Sequence, residues 1–232
     1  MSGAARWVAF TAFWVVYLTV IGCGVWFIRL GMFCPVKCRA PVGNRRIALT
    51  FDDGPDPHTT PLLLDYLREQ KIRATFFCIG KNVDAHPAIA RRVVEEGHSI
   101  GNHTYNHHWW TSLMWSGKLS EEIGKTQQAI ERATGVKPVY MRPPMGMTNP
   151  HFYRVLHRLE MQMIGWDVRS LDTRKPVGEV IGRVLRQTKD GSIVLLHDGR
   201  MPAEGLMEIV KAVAEGLRAK GLEFETVDRM IG

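Results

Sequence analysis

From Arg46 to the C-terminus, short apolar blocks alternate with longer amphipathic stretches. Residues 46–51 contain Ile47, Ala48, Leu49 and Phe51 and predict a first strand, closed by a Gly54-Pro55 turn. Thr60 as a cap, with Pro61 at the first helical position, predicts a helix to about Gln70. Ala74–Ile79 is continuously apolar, the mark of a strand buried on both faces. Pro87–Glu96 reads as a helix ended by Gly97, and His98–Gly101 as a short strand. Lys118–Thr134 is an amphipathic helix with Gly135 at its end. Then come a strand at Val139–Met141, a helix over Asn149–Leu159, a strand at Met161–Trp166 and a helix over Val177–Gln187. Ser192–Leu196 predicts the sixth strand, Glu204–Lys220 a helix, and Phe224–Val227 the seventh strand. Strands alternating with helices at this spacing call for a parallel sheet.

The N-terminal pattern is different. Trp7–Ile28 is a run of 22 residues without a charge, long enough for a spanning helix. Trp7, Trp14, Tyr17, Trp26 and Phe27 supply interface anchors. A cleaved signal peptide would be shorter. Val20-Ile21-Gly22-Cys23 resembles a lipoprotein cleavage box, but the apolar run continues through Val25–Ile28, where mature lipoproteins turn polar. The expected organisation is therefore a membrane anchor over residues 1–30, a basic linker over 31–45 and a catalytic domain over 46–232. Arg29, Lys37, Arg39, Arg45 and Arg46 follow the apolar run, and by the positive-inside rule they would hold the domain in the cytoplasm.

Composition changes this picture little. The 232 residues are 45% hydrophobic and 23% charged, values of an ordinary globular domain with a short appendage. The net charge of +7 suits an anionic lipid surface or polymer, or simply flanks the membrane. The basic residues are scattered, with no basic-aromatic reader motif, which argues against nucleic acid as a partner. Cys23, Cys34, Cys38 and Cys78 form no disulfide framework. Cys34 and Cys38 pair in an oxidising compartment or stay free, and Cys78 reads as a core residue.

The candidate chemistry lies at strand ends. Asp52 and Asp53 are adjacent where the first strand gives way to its turn, so they leave the backbone in different directions. One carboxylate can bind a metal while the other moves a proton. His103 and His107, four residues apart, complete a two-His, one-carboxylate ligand set with Asp53. Zinc fits such a set first, with cobalt, manganese or nickel as alternatives. In this arrangement Asp52 can act as the general base. Alone, His197 reads as a satisfied core residue and Arg142 as a surface pair. Only beside the full set do they read as the acid toward a leaving group and the partner that holds Asp52 through charge-assisted hydrogen bonds. Asp52, Asp53, His103, His107, Arg142, Asp172 and His197 all follow a strand, and convergence of so many strand ends favours a barrel over an open sheet.

Four blocks, Thr50-Phe51-Asp52-Asp53-Gly54-Pro55, His103-Thr104-Tyr105-Asn106-His107, Arg142-Pro143-Pro144 and Leu195-Leu196-His197-Asp198, resemble the NodB-like polysaccharide deacetylases, carbohydrate esterase family 4. The resemblance runs from about Arg46 to the C-terminus. It implies an α/β fold, the family's distorted seven-stranded (β/α) barrel. It implies removal of an N-acetyl group from an amino sugar in a cell-envelope glycan or a lipid-linked saccharide. It also implies substrate contacts from Pro143, Pro144, Met145 and Leu195, with the Met145 backbone N–H stabilising an oxyanion. Most membrane-anchored members of the family that the chain resembles work outside the bacterial cytoplasmic membrane, so the resemblance implies an extracytoplasmic domain where the charge rule implies a cytoplasmic one.

Three positions depart from the family. Met145 stands where an aromatic residue is usual, Arg169 where an acid is common and Thr173 where Trp is common. Asp172 is kept and reads as the residue that tunes His197. Trp109, Trp110, Leu113, Met114 and Trp115 follow the His block and suit either core packing or an apolar rim for substrate, with Trp109 as a sugar contact. A deformylase acting on a lipid-linked N-formyl amino sugar would use the same residues. A tethered, non-catalytic glycan-binding protein is the remaining alternative, and it would tolerate loss of a member of the Asp–His set.

Overall fold

The computed structural model describes residues 3–232; of the predicted anchor, Met1 and Ser2 lie outside the described residues. Helix α1 spans Gly3–Trp26 and precedes the short strand β1 (Val36–Lys37) and the longest strand β2 (Arg46–Asp52). Then follow α2 (Thr59–Glu69), β3 (Thr75–Cys78), α3 (Gly80–Ala85), α4 (Pro87–Glu95), β4 (Ser99–Asn102), α5 (Ser116–Thr134) and β5 (Tyr140–Met141). The chain continues with α6 (His151–Arg158), β6 (Gln162–Ile164), β7 (Val168–Arg169), α7 (Val177–Gln187) and β8 (Ile193–His197). It ends in α8 (Ala203–Ala219), β9 (Glu223–Phe224) and α9 (Val227–Ile231).

All the strand pairings are parallel, in the order β1-β6-β5-β4-β3-β2-β8-β7, with β9 added on β2. The result is a curled sheet wrapped by helices, a distorted (β/α) barrel with β1 and β7 at its ends.

Alternation along the strands builds two cores. Ile47, Leu49 and Phe51 of β2, Phe76 and Cys78 of β3, and Val194 and Leu196 of β8 face the helical layer of α2, α4, α7 and α8. The intervening Ala48, Phe77, Ile193 and Leu195 point into the barrel with Met141, Phe152, Met163 and Ile164. Burial on both faces explains why these strands read as continuous apolar runs.

Register then places the chemistry. Asp52, the last residue of β2, pairs with Phe77 of β3 and His197 of β8. Asn102, the last of β4, pairs with Cys78 and Met141. Asp53, His103, Arg142 and Asp198 therefore leave the sheet at one end.

The (β/α) barrel class holds, but the strand division differs from the seven expected. The strand expected at Met161–Trp166 is the shorter β6, and a further strand, β7, follows after Gly165, Trp166 and Asp167. The predicted linker over 31–45 contains β1, whose Val36 and Lys37 pair with Met163 and Ile164. The strand expected at Phe224–Val227 is Glu223–Phe224, and Val227 already opens α9. Helix α3 has no counterpart in the apolar pattern, because six residues give less than two turns of periodicity. Helix α2 starts one residue before the predicted Thr60 cap. Asp56 Oδ1 accepts the Thr59 N–H at 2.9 Å, and Thr60 Oγ1 accepts the Asp56 N–H at 2.7 Å, so an aspartate four residues upstream of Thr60 does the capping.

Helix α1 is long and apolar enough to cross a membrane. Its end is bound to the domain. The Thr148 N–H donates to the Val25 carbonyl at 3.1 Å, and the Thr148 hydroxyl to the Gly24 carbonyl at 3.2 Å. All four cysteines are free thiols, and burial pushes Cys34 up to about 11.

Phe76 joins the two sides of the outer core, stacked on Phe51 at 5.2 Å and buried to 1% exposure. Phe76→Ala is expected to destabilise the domain by about 3–5 kcal/mol. Urea unfolding of the full chain in detergent, followed by tryptophan fluorescence, checks this; an unchanged midpoint would mean that the outer core does not hold the sheet.

Candidate active site

The centre of the site is a fully buried arginine. Arg142 follows β5 and is 0% exposed. Its Nη1 donates to Asp52 Oδ1 at 2.7 Å and to Thr50 Oγ1 at 2.7 Å, and Nη2 donates to the Gly165 carbonyl at 2.9 Å. The guanidinium lies over the Phe77 ring, 4.1 Å from its centroid. Burial lowers the Arg142 pKa, and the charge of Asp52 opposes that shift. One Asp52 oxygen is thus committed, and Oδ2 remains beside His103, 3.8 Å from its Nε2.

Asp53 turns the other way because its backbone is left-handed, with φ of 78°. Its Oδ1 lies 3.2 Å from His107 Nε2 and 3.6 Å from His103 Nε2. The three ligand atoms of Asp53, His103 and His107 all fall within 4.8 Å of one another. Asp53 Oδ1 is buried and has no hydrogen-bond partner among the described residues.

The tautomer of His103 explains that orphan oxygen. His103 Nδ1 sits 2.7 Å from the Arg142 carbonyl, which can only accept, so Nδ1 carries the proton and Nε2 a lone pair. Two lone-pair atoms then face each other across the gap. Donors about 2.1 Å from a tetrahedral cation stand about 3.4 Å apart, close to the spacings found. The Asp–His–His set therefore fits a divalent cation. Burial, then the neighbouring His103, pushes His107 down to about 3, leaving it neutral as a ligand must be. Burial would raise Asp53, but His103, Arg200 and His107 outweigh it and hold the carboxyl below its ordinary value.

Opposite this cluster stands His197 at the end of β8. Its Nδ1 contacts Asp172 Oδ1 at 2.8 Å, and its backbone N–H donates to Asp172 Oδ2 at 2.7 Å. Burial lowers the His197 pKa, but the hydrogen bond and charge of Asp172, with Asp52 and Asp53, outweigh it and the net shift is upward. Asp172 is itself fixed by the Ser170 hydroxyl at 2.8 Å.

A cleft of about 580 Å³ joins these groups, within the usual range for small-ligand sites. Asp52, Asp53, His103, His107 and His197 line it, as do Met145, Leu195 and Trp109. Pro143 and Pro144 do not; both are buried behind the wall. Arg142 and Asp172 act from behind as well. Asp53, Thr104, His107, Met145 and Leu171 adopt positive φ at or next to the site. Left-handed backbone at non-glycine residues costs of order 1–3 kcal/mol each and concentrates at functional sites.

Sequence reading missed Arg200. Its Nε donates to Asp53 Oδ2 at 2.7 Å, completing the second oxygen of that carboxylate. Its position three residues after His197, on the same strand-end loop, was the available signal. Asp198 follows His197 in the fourth block. It lies buried behind the site, hydrogen-bonded to Thr59 and Thr60, and burial pushes it up to about 6.

The comparisons with known proteins place the chain in a family. The family model described as polysaccharide deacetylase matches residues 39–164. The peptidoglycan-N-acetylglucosamine deacetylase PgdA of Listeria monocytogenes is 36% identical over 190 residues, covering 82% of this chain. The chain spans only 39% of that relative's length. A peptidoglycan-N-acetylglucosamine deacetylase of Bacillus cereus is 35% identical over 199 residues, covering 84% of this chain and 92% of the relative. A crystal structure of a peptidoglycan N-acetylglucosamine deacetylase in complex with 4-naphthalen-1-yl-N-oxidanyl-benzamide superposes with a TM-score of 0.78. It is 30% identical and covers 84% of this chain and 92% of that one. By motif, fold and similarity together, the chain belongs to the polysaccharide deacetylase family.

Proposed function

We propose that this protein is a metal-dependent hydrolase that removes the N-acetyl group from an amino sugar of a cell-envelope glycan. The observation that carries the reading is the unpartnered Asp53 Oδ1 facing two imidazole nitrogens, beside a second carboxylate held separately by Arg142. The relatives named as peptidoglycan deacetylases support the substrate class.

Asp53, His103 and His107 would hold the cation, zinc by preference, with cobalt, manganese or nickel compatible with the same donors. Bound there, a divalent cation supplies Lewis-acid polarisation of the amide carbonyl and acidifies water. The chain does the rest. Asp52 accepts the proton of the attacking water at Oδ2, the oxygen that Arg142 leaves free. Met145, held at φ of 56°, has a backbone N–H without a partner among the described residues, suited to a developing oxyanion. His197, oriented through Nδ1 by Asp172, presents its other nitrogen to the leaving amine as the acid. Helix α1 would anchor the domain at the bacterial cytoplasmic membrane, and the relatives named as peptidoglycan deacetylases, against the flanking positive charges, favour a cleft on the outer side.

The direct test is release of acetate from N-acetylated chitotetraose and from peptidoglycan fragments by the full chain in detergent. Acetate release is expected; no release from these or from a lipid-linked N-acetyl amino sugar with metal supplied, or formate as the only product of an N-formyl substrate, would overturn the reading.

Substituting the ligands separates metal binding from folding. Purified wild-type protein is expected to carry one transition-metal equivalent per chain by elemental analysis. Asp53→Asn combined with His107→Gln should lose it while keeping the far-ultraviolet circular dichroism spectrum. Retention of the metal by that double variant would place the cation elsewhere.

The pH profile tests the acid. Asp172 raises the His197 pKa, so His197 keeps its proton to higher pH and rate falls as it deprotonates. Asp172→Asn should therefore shift the alkaline limb of kcat/KM to lower pH, each unit costing about tenfold in rate above it. An unmoved limb would remove His197 as the titrating acid.

A further inference from the structure

A second cavity, of about 540 Å³, adjoins the catalytic cleft. One wall is α1, through Thr19, Gly22, Cys23 and Trp26; Arg29 follows at its end. The other wall is Trp166 and Arg169 of the domain, and both of these also line the catalytic cleft. The two cavities thus share a wall. Thr148 binds the end of α1 through the Gly24 and Val25 carbonyls, so the groove lies between parts that are hydrogen-bonded together.

The groove changes character along its length. From Thr19 to Trp26 it follows about 10 Å of helix axis. That stretch lies within the apolar helix, so in a membrane its far end opens toward the hydrocarbon. Toward the cleft it becomes cationic. Arg29 and Arg169 line the groove, and Arg169 and Arg174 line the cleft. Among the described residues none of these three guanidinium groups has a carboxylate partner, whereas Arg142 and Arg200 are each paired with an aspartate. Unpaired guanidinium groups between an apolar groove and a sugar-sized cleft match a phosphate that joins a sugar to a lipid. A soluble polymer would have no use for a groove that opens at membrane depth.

We propose that the substrate is an amino sugar joined to a membrane lipid through a phosphate or diphosphate. The sugar occupies the cleft, the linker phosphate meets Arg169 and Arg29, and the lipid chain follows α1 past Gly22 and Cys23. This rests on the deacetylase reading and names its substrate class. Arg169, where an acid is common in the family, becomes the residue that selects a phosphate.

The test uses the full chain in nanodiscs and two substrates: N-acetylglucosaminyl farnesyl diphosphate and N-acetylated chitotetraose. The farnesyl substrate is expected to show a kcat/KM about tenfold higher or more. Gly22 permits a selective block, because a Cβ there meets nothing within 4 Å. Gly22→Trp should lower the ratio of the two kcat/KM values about tenfold, and Arg169→Gln should raise KM for the farnesyl substrate and weaken its salt dependence. A photoreactive farnesyl analogue should cross-link to the segment 19–29, with less labelling in Gly22→Trp. Turnover of chitotetraose without preference for the farnesyl substrate, or labelling that excess phosphatidylglycerol removes as effectively as the farnesyl substrate does, would overturn the inference and leave the deacetylase reading intact. Failure to deacetylate either substrate would overturn both.

Discussion

The pairing of Arg142 with Asp52 is the contact on which the site depends. A guanidinium with no exposure is tolerable only if its donors and its charge are all answered. Thr50, Asp52 and the Gly165 carbonyl answer the donors, and the Phe77 ring covers one face. Those partners come from β2, β3 and the connection after β6, so the ion pair ties neighbouring parts of the barrel end together. The same residue acts a second time through its backbone: its carbonyl accepts the hydrogen bond from His103 Nδ1–H, which leaves the Nε2 lone pair toward Asp53. Removing one partner of such a pair costs about 3–5 kcal/mol, because the other charge is left buried and alone.

Around that contact the two aspartates part company. Adjacent residues at a strand end already point apart, and the left-handed backbone at Asp53 widens the divergence. Asp52 faces Arg142 and keeps one oxygen open; Asp53 faces the imidazoles, with its other oxygen on Arg200. Two identical side chains thus receive opposite environments. The strained loop residues Thr104, His107 and Met145 bring ligands and a free N–H into the same space, held by the hydrogen bonds of the surrounding parallel sheet.

The N-terminal helix is not merely appended. It shares hydrogen bonds with Thr148 and a cavity wall with Trp166 and Arg169, next to the catalytic cleft. Exposed Trp109 and Trp115 lie in the loop after the His block, at 66% and 76% exposure, so they are not core residues. Apolar side chains left in water beside a helix apolar enough to cross a membrane suit the boundary between lipid and water.

Much of this was written in the residues themselves. Two-sided burial marked β2, β3 and β8, because continuous apolar runs have no other use in a parallel sheet. The Asp52–Asp53 pair and the His103–His107 spacing marked the ligand set, because these side chains sit close together in the chain or repeat a motif. Other features had no local signature. Two-residue strands such as β1 and β7 are too short to leave a period, and they exist because a longer strand offers them an edge. Pro143 and Pro144 share a motif with Arg142 yet lie outside the cleft lining, and Arg200 reaches Asp53 across 147 positions of sequence. The sequence by itself marked the candidate groups and the strand ends at which they stand. Only the tertiary structure decided which oxygen each partner takes, because hydrogen-bond direction depends on three-dimensional register and not on spacing along the chain.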